Sequence, residues 1–501
     1  MLRQESASYK GFRNPGIRLR EPIVPSLESH RSDLIRDELY AIHMFDKAHL
    51  VMLVEQELIP REDGVRSLRE LKKMEVEGLE DLRVLHGGGM HSGEQYLIRK
   101  LGEGVGGRMH LGRSSGDLGE VGTRIVARDG LLATLDAVHA FRRVLMGVAA
   151  EHVETVIPGY THAQHAQPTT WGHMLLSWVA VLERDTERLL LAFDQMNRSP
   201  AGAAILTGSD FPLDRHRVAE LLGFAEVEKN TFDAILSHDN LFTTLSALSI
   251  LHMNLARWSD DLMLFNTSEF GMLDFPDRFC GTSSIMMQKK NAYAPQFIKG
   301  AAAETVGALM TSFLVEKDPT SVPILDRAVT RAAIKRSLAK VVRDLNWMSE
   351  FMPALDLNTE LMRERAGAFW GQATEIAGAL VREKGLPWRT AHQIIGILVR
   401  LCEDRNIAPK DVTPALIDEA AMLYQGQPLK LEAAALQEAL DPERAVRRRT
   451  LYGGPAPTEV MARMKEYEAC LADHAGKLEA AREPVTIGKK KLEQAVEALI
   501  G

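Results

Sequence analysis

Between residues 238 and 266, Leu241, Leu245, Leu248, Leu255 and Leu262 recur at spacings of three, four and seven, with His252 and Ser259 in the polar positions of the same seam. That period predicts a helix with one buried stripe, ~40 Å long at 1.5 Å per residue. A helix of that length cannot bury itself inside one small domain. It requires a long bundle, either shared between subunits or closed within a monomer. Leu131, Leu135, Val138, Phe141, Leu145 and Val148 repeat the pattern and predict a second long helix over 119–156, ended by Pro158-Gly159. Aromatic residues make up only 6% of the 501 residues, and Leu, Ala, Glu and Arg dominate. That balance favours helices, since strands draw on aromatic and β-branched residues. The expected fold is all-α, with an N-terminal helical domain over 1–113, a central long-helix bundle over 114–365 and a C-terminal helical domain over 366–501. The last should hold three or four shorter amphipathic helices and end in a solvated face at Lys489-Lys490-Lys491.

The formal net charge is −8 and no dense Lys/Arg block occurs, which argues against a nucleic-acid partner. An anionic substrate must be held by a few local cations. Cys280, Cys402 and Cys470 form no CxxC pair, so neither a zinc site nor a disulfide framework is expected. A reducing, cytoplasmic compartment fits. No apolar run approaches the ~18 residues needed to span a bilayer, so no membrane partner is expected. Residues 1–24 carry Arg3, Lys10, Arg13, Arg18 and Arg20 without an apolar segment. They read as an extended arm, a transit peptide being the alternative.

Three glycine-punctuated segments mix hydroxyls, histidines and cations where long helices would hold them rigidly. They are Gly112-Arg113-Ser114-Ser115-Gly116-Asp117, Gly159 to Pro168 (Gly-Tyr-Thr-His-Ala-Gln-His-Ala-Gln-Pro) and Gly281 to Asn291 (Gly-Thr-Ser-Ser-Ile-Met-Met-Gln-Lys-Lys-Asn). The third reads as a loop between two helices, without a strand pattern. Each has a plain structural reading: a helix cap, a core-satisfying histidine, a solvated loop. The Ser and Lys of the third lack the G-x-x-x-x-G-K-[ST] spacing of a phosphate loop. No H-E-x-x-H or other metal-ligand spacing is present.

Together the segments resemble the argininosuccinate lyase branch of the fumarase/aspartase superfamily. The superfamily signature G-S-S-x-M-P-x-K-x-N corresponds to residues 282–291, its serines falling on Ser283 and Ser284. The second segment is similar, almost letter for letter, to the lyase sequence G-Y-T-H-x-Q-x-A-Q-P, and continues into Trp171-Gly172-His173. The first resembles H-x-G-R-S-R-N-D. Further similarity runs through Val381 to His392 and the Gly453-Gly454-Pro455-Ala456-Pro457 turn.

The resemblance implies three helical domains, a homotetramer around a central bundle, and active sites that combine the three segments from different subunits. It implies no cofactor and no metal. The reaction would be β-elimination of an amine from an N-substituted aspartate, giving fumarate. By carry-over Ser283 is the base, Lys289 and Asn291 stabilise the aci-carboxylate, and Thr161 and His162 serve the leaving nitrogen. Arg113, Ser114, Gln164, Ser284 and Met286 would contact substrate. The catalytic tasks fit general chemistry: a doubly charged carboxylate needs preorganised donors, a serine base needs its pKa lowered, and a histidine suits proton donation near neutrality.

Departures cluster at ligand contacts. Ser115 and Gly116 replace the lyase Arg-Asn, Gly88 and Gly89 replace two acids before His91, Met287 replaces the loop proline, and Gln296 replaces a Glu that orients the histidine. The Tyr-, Gln- and Lys-rich segment that grips the arginine half is not recognisable between Leu314 and Arg327. Argininosuccinate and an ethylenediaminedisuccinate-type aminopolycarboxylate both remain as substrates. A family member that kept the fold as a binding or structural protein is the alternative of another class.

Overall fold

The computed structural model describes residues 18, 20–317 and 325–501. Most of the expected N-terminal arm, and residues 318–324 of the segment between Leu314 and Arg327, lie outside them.

The chain runs through α1 (Pro25–Asp33), α2 (Leu39–Glu55), α3 (Arg61–Leu85), α4 (Ser92–Leu101) and α5 (Ser115–Glu151). A hairpin follows, β1 (Val156–Thr161) with β2 (Gln164–Thr170), leading into α6 (Trp171–Met196), α7 (Arg215–Leu222) and α8 (Asp239–Phe265). After the short strands β3 (Cys280–Thr282) and β4 (Lys290–Ala292) come α9 (Tyr293–Glu316), α10 (Ala328–Phe351) and α11 (Thr359–Ala366). The C-terminal part holds α12 (Ala373–Lys384), α13 (Trp388–Asp404), α14 (Pro414–Gln425), α15 (Ala433–Leu440), α16 (Pro442–Arg447) and α17 (Pro457–Ile500). Single turns and two-residue bridges connect the rest. The fold is all-α, as the composition and the leucine periods predict.

Helices α5, α6, α8, α9 and α10 form the bundle. Leu131, Phe141, Trp171, Leu248, Leu255 and Leu345 meet in its core. The predicted polar seam of α8 is fully buried at His252 and Ser259. His252 bonds Thr305 Oγ1 of α9 through Nδ1 (2.8 Å) and Asp344 Oδ2 of α10 through Nε2 (3.0 Å). A buried histidine tolerates its surroundings only when both ring nitrogens are satisfied, so it fixes the register of three helices. A second core gathers Phe45, Leu68, Tyr96 and Val121, and a third gathers Ile376, Leu380, Ile394 and Leu436.

The structure departs from the periodicity at recognisable points. Helix α5 starts earlier than predicted because Ser114 caps it, with Asp117 Oδ1 accepting from the Ser114 backbone N–H at 2.8 Å. It also ends earlier. Pro158 and Gly159 lie inside β1, where the register shifts between Pro158 and Tyr160. A Cβ on Gly159 would stand 2.5 Å from the Gln167 carbonyl, so the strands can approach only at a glycine. The 281–291 segment is likewise flanked by a ladder, Cys280↔Ala292 to Thr282↔Lys290, which three-residue strands are too short to announce by alternation.

The C-terminal tail does not end in short helices. Its last element, α17, has 44 residues and runs back to the N-terminal core through Leu492 and Val496. Nor is its lysine run simply solvated: Lys489 pairs with Asp129 (3.0 Å) and Lys491 with Glu220 (2.6 Å).

Candidate active site

The 281–291 loop hangs between β3 and β4. Ser283 Oγ accepts the backbone N–H groups of Met286 (3.0 Å) and Ile285 (3.3 Å). The two N–H groups fix the position of the hydroxyl oxygen within the loop. Lys289 N–H closes a turn onto the Met286 carbonyl at 3.0 Å. Lys290 Nζ fastens the far side of the loop to Asp274 (2.7 Å) and Asp277 (2.8 Å). Those two carboxylates hold the Lys290 ammonium well above the ordinary lysine range, hydrogen bonding to Asp274 being the largest effect. The Tyr293 ring lies on Gly281, where a Cβ would come within 2.0 Å of Cε2. The tip residues Ser284, Met286 and Lys289 are exposed, as are Ile285 (80%) and Met287 (88%).

The 159–168 segment is the end of the β1–β2 hairpin. Thr161 pairs with Gln164, and His162 and Ala163 between them have φ of 54° and 58°. A two-residue hairpin turn needs left-handed backbone at both positions, normally supplied by Asn-Gly or Gly-Gly. Two side-chain-bearing residues there are held by their surroundings. Tyr160 packs on His165 and beside Phe265 and Phe270. His173 joins Thr169 Oγ1 (2.7 Å) to the Gly453 carbonyl (3.0 Å), which ties the start of α6 to the 453–457 turn. Thr161, His162 and Gln164 are exposed on the turn.

The 112–117 segment sits at the start of α5. Ser114 is the N-cap, its Oγ 3.4 Å from the Gly116 N–H. Arg113, expected at substrate, is buried: its guanidinium pairs with Asp46 at 2.7 Å and lies over the Phe45 ring. Ser115 Oγ contacts His91 Nε2 at 2.9 Å. Beside this segment the fold gathers His91, Glu94 and His110, which no metal-ligand spacing in the sequence marks.

The Ser114 segment does not meet the other two within one chain. Helix α5 has 37 residues, ~55 Å of rise, and separates Ser114 from the hairpin. The start of α8 lies at the Ser114 end, where His238 contacts Glu120. The end of α8 lies at the hairpin, where Phe265 meets Tyr160. Asn291 and Ser283 follow beyond that end, while Gln296 bonds the Ala292 carbonyl of its own helix at 2.8 Å. Among the described residues no hydrogen bond or ion pair joins any two of the three segments.

Comparison with known proteins agrees with the arrangement. The Lyase family profile matches residues 75–307, and the Argininosuccinate lyase C-terminal profile matches residues 370–447. An argininosuccinate lyase of Methanosarcina acetivorans is 37% identical over 460 residues, 91% of this chain and 90% of the relative. One of Methanocaldococcus jannaschii is 37% identical over 84% of this chain and 86% of its own length. In structure the chain is similar to EDDS lyase in complex with formate, with a TM-score of 0.82, 29% identity and 95% and 96% of the two chains covered. A variant of that enzyme with bound fumarate superposes equally well, at 28% identity over 96% and 97% of the chains. With its helical bundle, its serine loop and its hairpin histidine, the chain belongs to the argininosuccinate lyase family of the fumarase/aspartase superfamily and is a carbon–nitrogen lyase that forms fumarate from an N-substituted aspartate.

Proposed function

We propose that the chain acts as a homotetramer in which each active site draws the Ser283 loop, the Thr161–His162 turn and the Ser114 segment from different copies. The observation that carries this is the ~55 Å of α5 between Ser114 and the hairpin. Ser283 Oγ, acting as the alkoxide, takes the Cβ proton of the substrate and becomes the hydroxyl. The electron pair passes into the neighbouring carboxylate, whose double charge Lys289, Asn291 and loop N–H groups stabilise. As it returns, the Cα–N bond breaks, and the nitrogen takes a proton from His162, aligned by Thr161. Fumarate and an amine leave. Ser114, Ser284, Met286 and Gln164 hold the succinyl part. Arg113 acts through Asp46 and the cap, not on the ligand. No cofactor enters the scheme. The cysteines Cys280, Cys402 and Cys470 are all free, which supports the cytoplasm as the compartment. For dissection we take 1–113, 114–365 and 366–501 as the domains, with the separate 376–439 core supporting the last.

The relatives' name favours argininosuccinate as substrate. The replacements at Gly88, Gly89, Ser115 and Gly116, with the likeness to EDDS lyase, favour an N-succinyl diamine. Following fumarate absorbance with both compounds separates them. Ser283→Ala should lower turnover of the accepted one by about 10²–10⁴-fold. Mixing Ser283→Ala with His162→Asn chains under subunit exchange should restore measurable activity, because a hybrid site can draw both native residues from different copies. Verified hybrids without activity would refute the shared site.

A further inference from the structure

We propose that His91, Glu94 and His110 bind a first-row divalent ion of the zinc class. His91 is the N-cap position of α4 and Glu94 stands one turn on, so their side chains share a face. His110 arrives from the turn just before Gly112. His91 Nδ1 and His110 Nδ1 each lie 3.4 Å from Glu94 Oε2, and all three donor atoms fall within 4.8 Å of one another. A tetrahedron with bonds of about 2.1 Å has edges of about 3.4 Å, so the two measured separations are those of ligands around one ion. They are too long for good hydrogen bonds.

The surroundings point the same way. His91 Nε2 contacts Ser115 Oγ at 2.9 Å. A hydroxyl on that nitrogen orients the ring and directs Nδ1 to the cluster, as outer-shell partners of zinc-bound histidines do. His110 Nδ1 is buried without a hydrogen bond. Arg113 is the nearby cation, and its charge is offset by Asp46 at 2.7 Å. Two imidazoles and one carboxylate suit zinc and not magnesium or calcium, which prefer oxygen. His91 and Ser115, with Glu38, Met90 and Arg331, also line a cavity of about 240 Å³. A bound ion ties the start of α4 to the turn that delivers Ser114. The proposal stands on this geometry and is independent of the lyase reaction.

The test uses untagged full-length protein, stripped with chelator and titrated with zinc chloride and cobalt chloride. One ion per chain should bind, cobalt should show the visible absorption of a four-coordinate site, and zinc should raise the thermal midpoint. His110→Ala and Glu94→Gln should each weaken zinc binding at least about tenfold. Glu94→Gln is nearly isosteric and carries the test if His110→Ala does not fold. Absence of stoichiometric binding to the wild type, or equal affinity in wild type and folded variants, would overturn the site.

Discussion

Ala163 occupies left-handed backbone at φ 58° with no glycine to ease it, and His162 beside it sits at 54°. An L-residue in that region costs roughly 1–2 kcal/mol. Ala163→Gly should therefore raise stability by about 1 kcal/mol, less what glycine's unfolded-state freedom returns, read as a higher thermal midpoint. His162→Gly should keep the midpoint and lose fumarate release, which separates a strained turn from a working histidine. Gly281 poses the opposite case. Its Cβ would collide with Tyr293 at 2.0 Å, so Gly281→Ala must push the ring outward or tilt β3. The ring is 42% exposed and can move. Turnover should fall more than stability, and Gly281→Ala with Tyr293→Ala should recover part of it. A single mutant as active as wild type would show that the loop base is more compliant than its packing.

At the scale of elements, the loop and the bundle depend on charge in different ways. The Lys290 contacts with Asp274 and Asp277 are exposed, and exposed pairs contribute ~0–1 kcal/mol. Lys290→Ala should leave the thermal midpoint nearly unchanged while lowering kcat, because the far strand of the Ser283 loop loses its anchor. His238 is buried between Glu120 (3.2 Å) and Glu316 (3.0 Å), with Arg331 on Glu120 and Arg327 on Glu316. Burial alone would lower its pKa, but the two carboxylates overcome that and hold it at about 9. Its folded pKa is above the unfolded ~6.5, so the stabilisation is complete below about pH 6.5 and is lost as pH rises towards 9. The term is at most about 3 kcal/mol. His238→Gln should flatten the fall in thermal midpoint between pH 7 and 9, and an unchanged slope would refute the assignment. None of this network was legible beforehand, because residues 118 and 78 positions apart meet only through folding. The leucine period marked α8 almost to the residue, since burial of one stripe leaves a local trace. It missed β1, β2, β3 and β4, since short strands leave none. Arg113 shows the limit for sites: the motif carries its identity, while the Asp46 that claims its side chain lies 67 positions away.

At the scale of the molecule, the bundle leaves apolar side chains open among the described residues. Helix α9 is, among the described residues, long and apolar enough to cross a membrane by length and composition, yet only 28% of its most apolar 18-residue stretch is buried. Phe297 (58%), Met310 (55%), Phe313 (43%) and Leu314 (62%) stand open along it. Each is worth ~1.5–3 kcal/mol when covered, which a bundle of several copies recovers. The same helix follows directly on the Ser283 loop, so covering it would place that loop against another copy. The helix also touches its own chain through Thr305 and His252, contacts that favour protein neighbours over lipid. Replacing Met310 and Phe313 together by Glu would bury two carboxylates at the contact, a cost far above what the interface can absorb. If copies share the bundle as proposed, light scattering should show a smaller assembly for this variant than for the wild type, and fumarate release should fall with it. Far-ultraviolet circular dichroism should stay helical, since neither side chain is in the core of its own chain. A folded monomer that still turns over substrate would mean that one chain completes the site by itself, against the ~55 Å of α5. An inactive monomer that regains activity on mixing with wild-type chains would make the shared bundle part of the catalytic machinery.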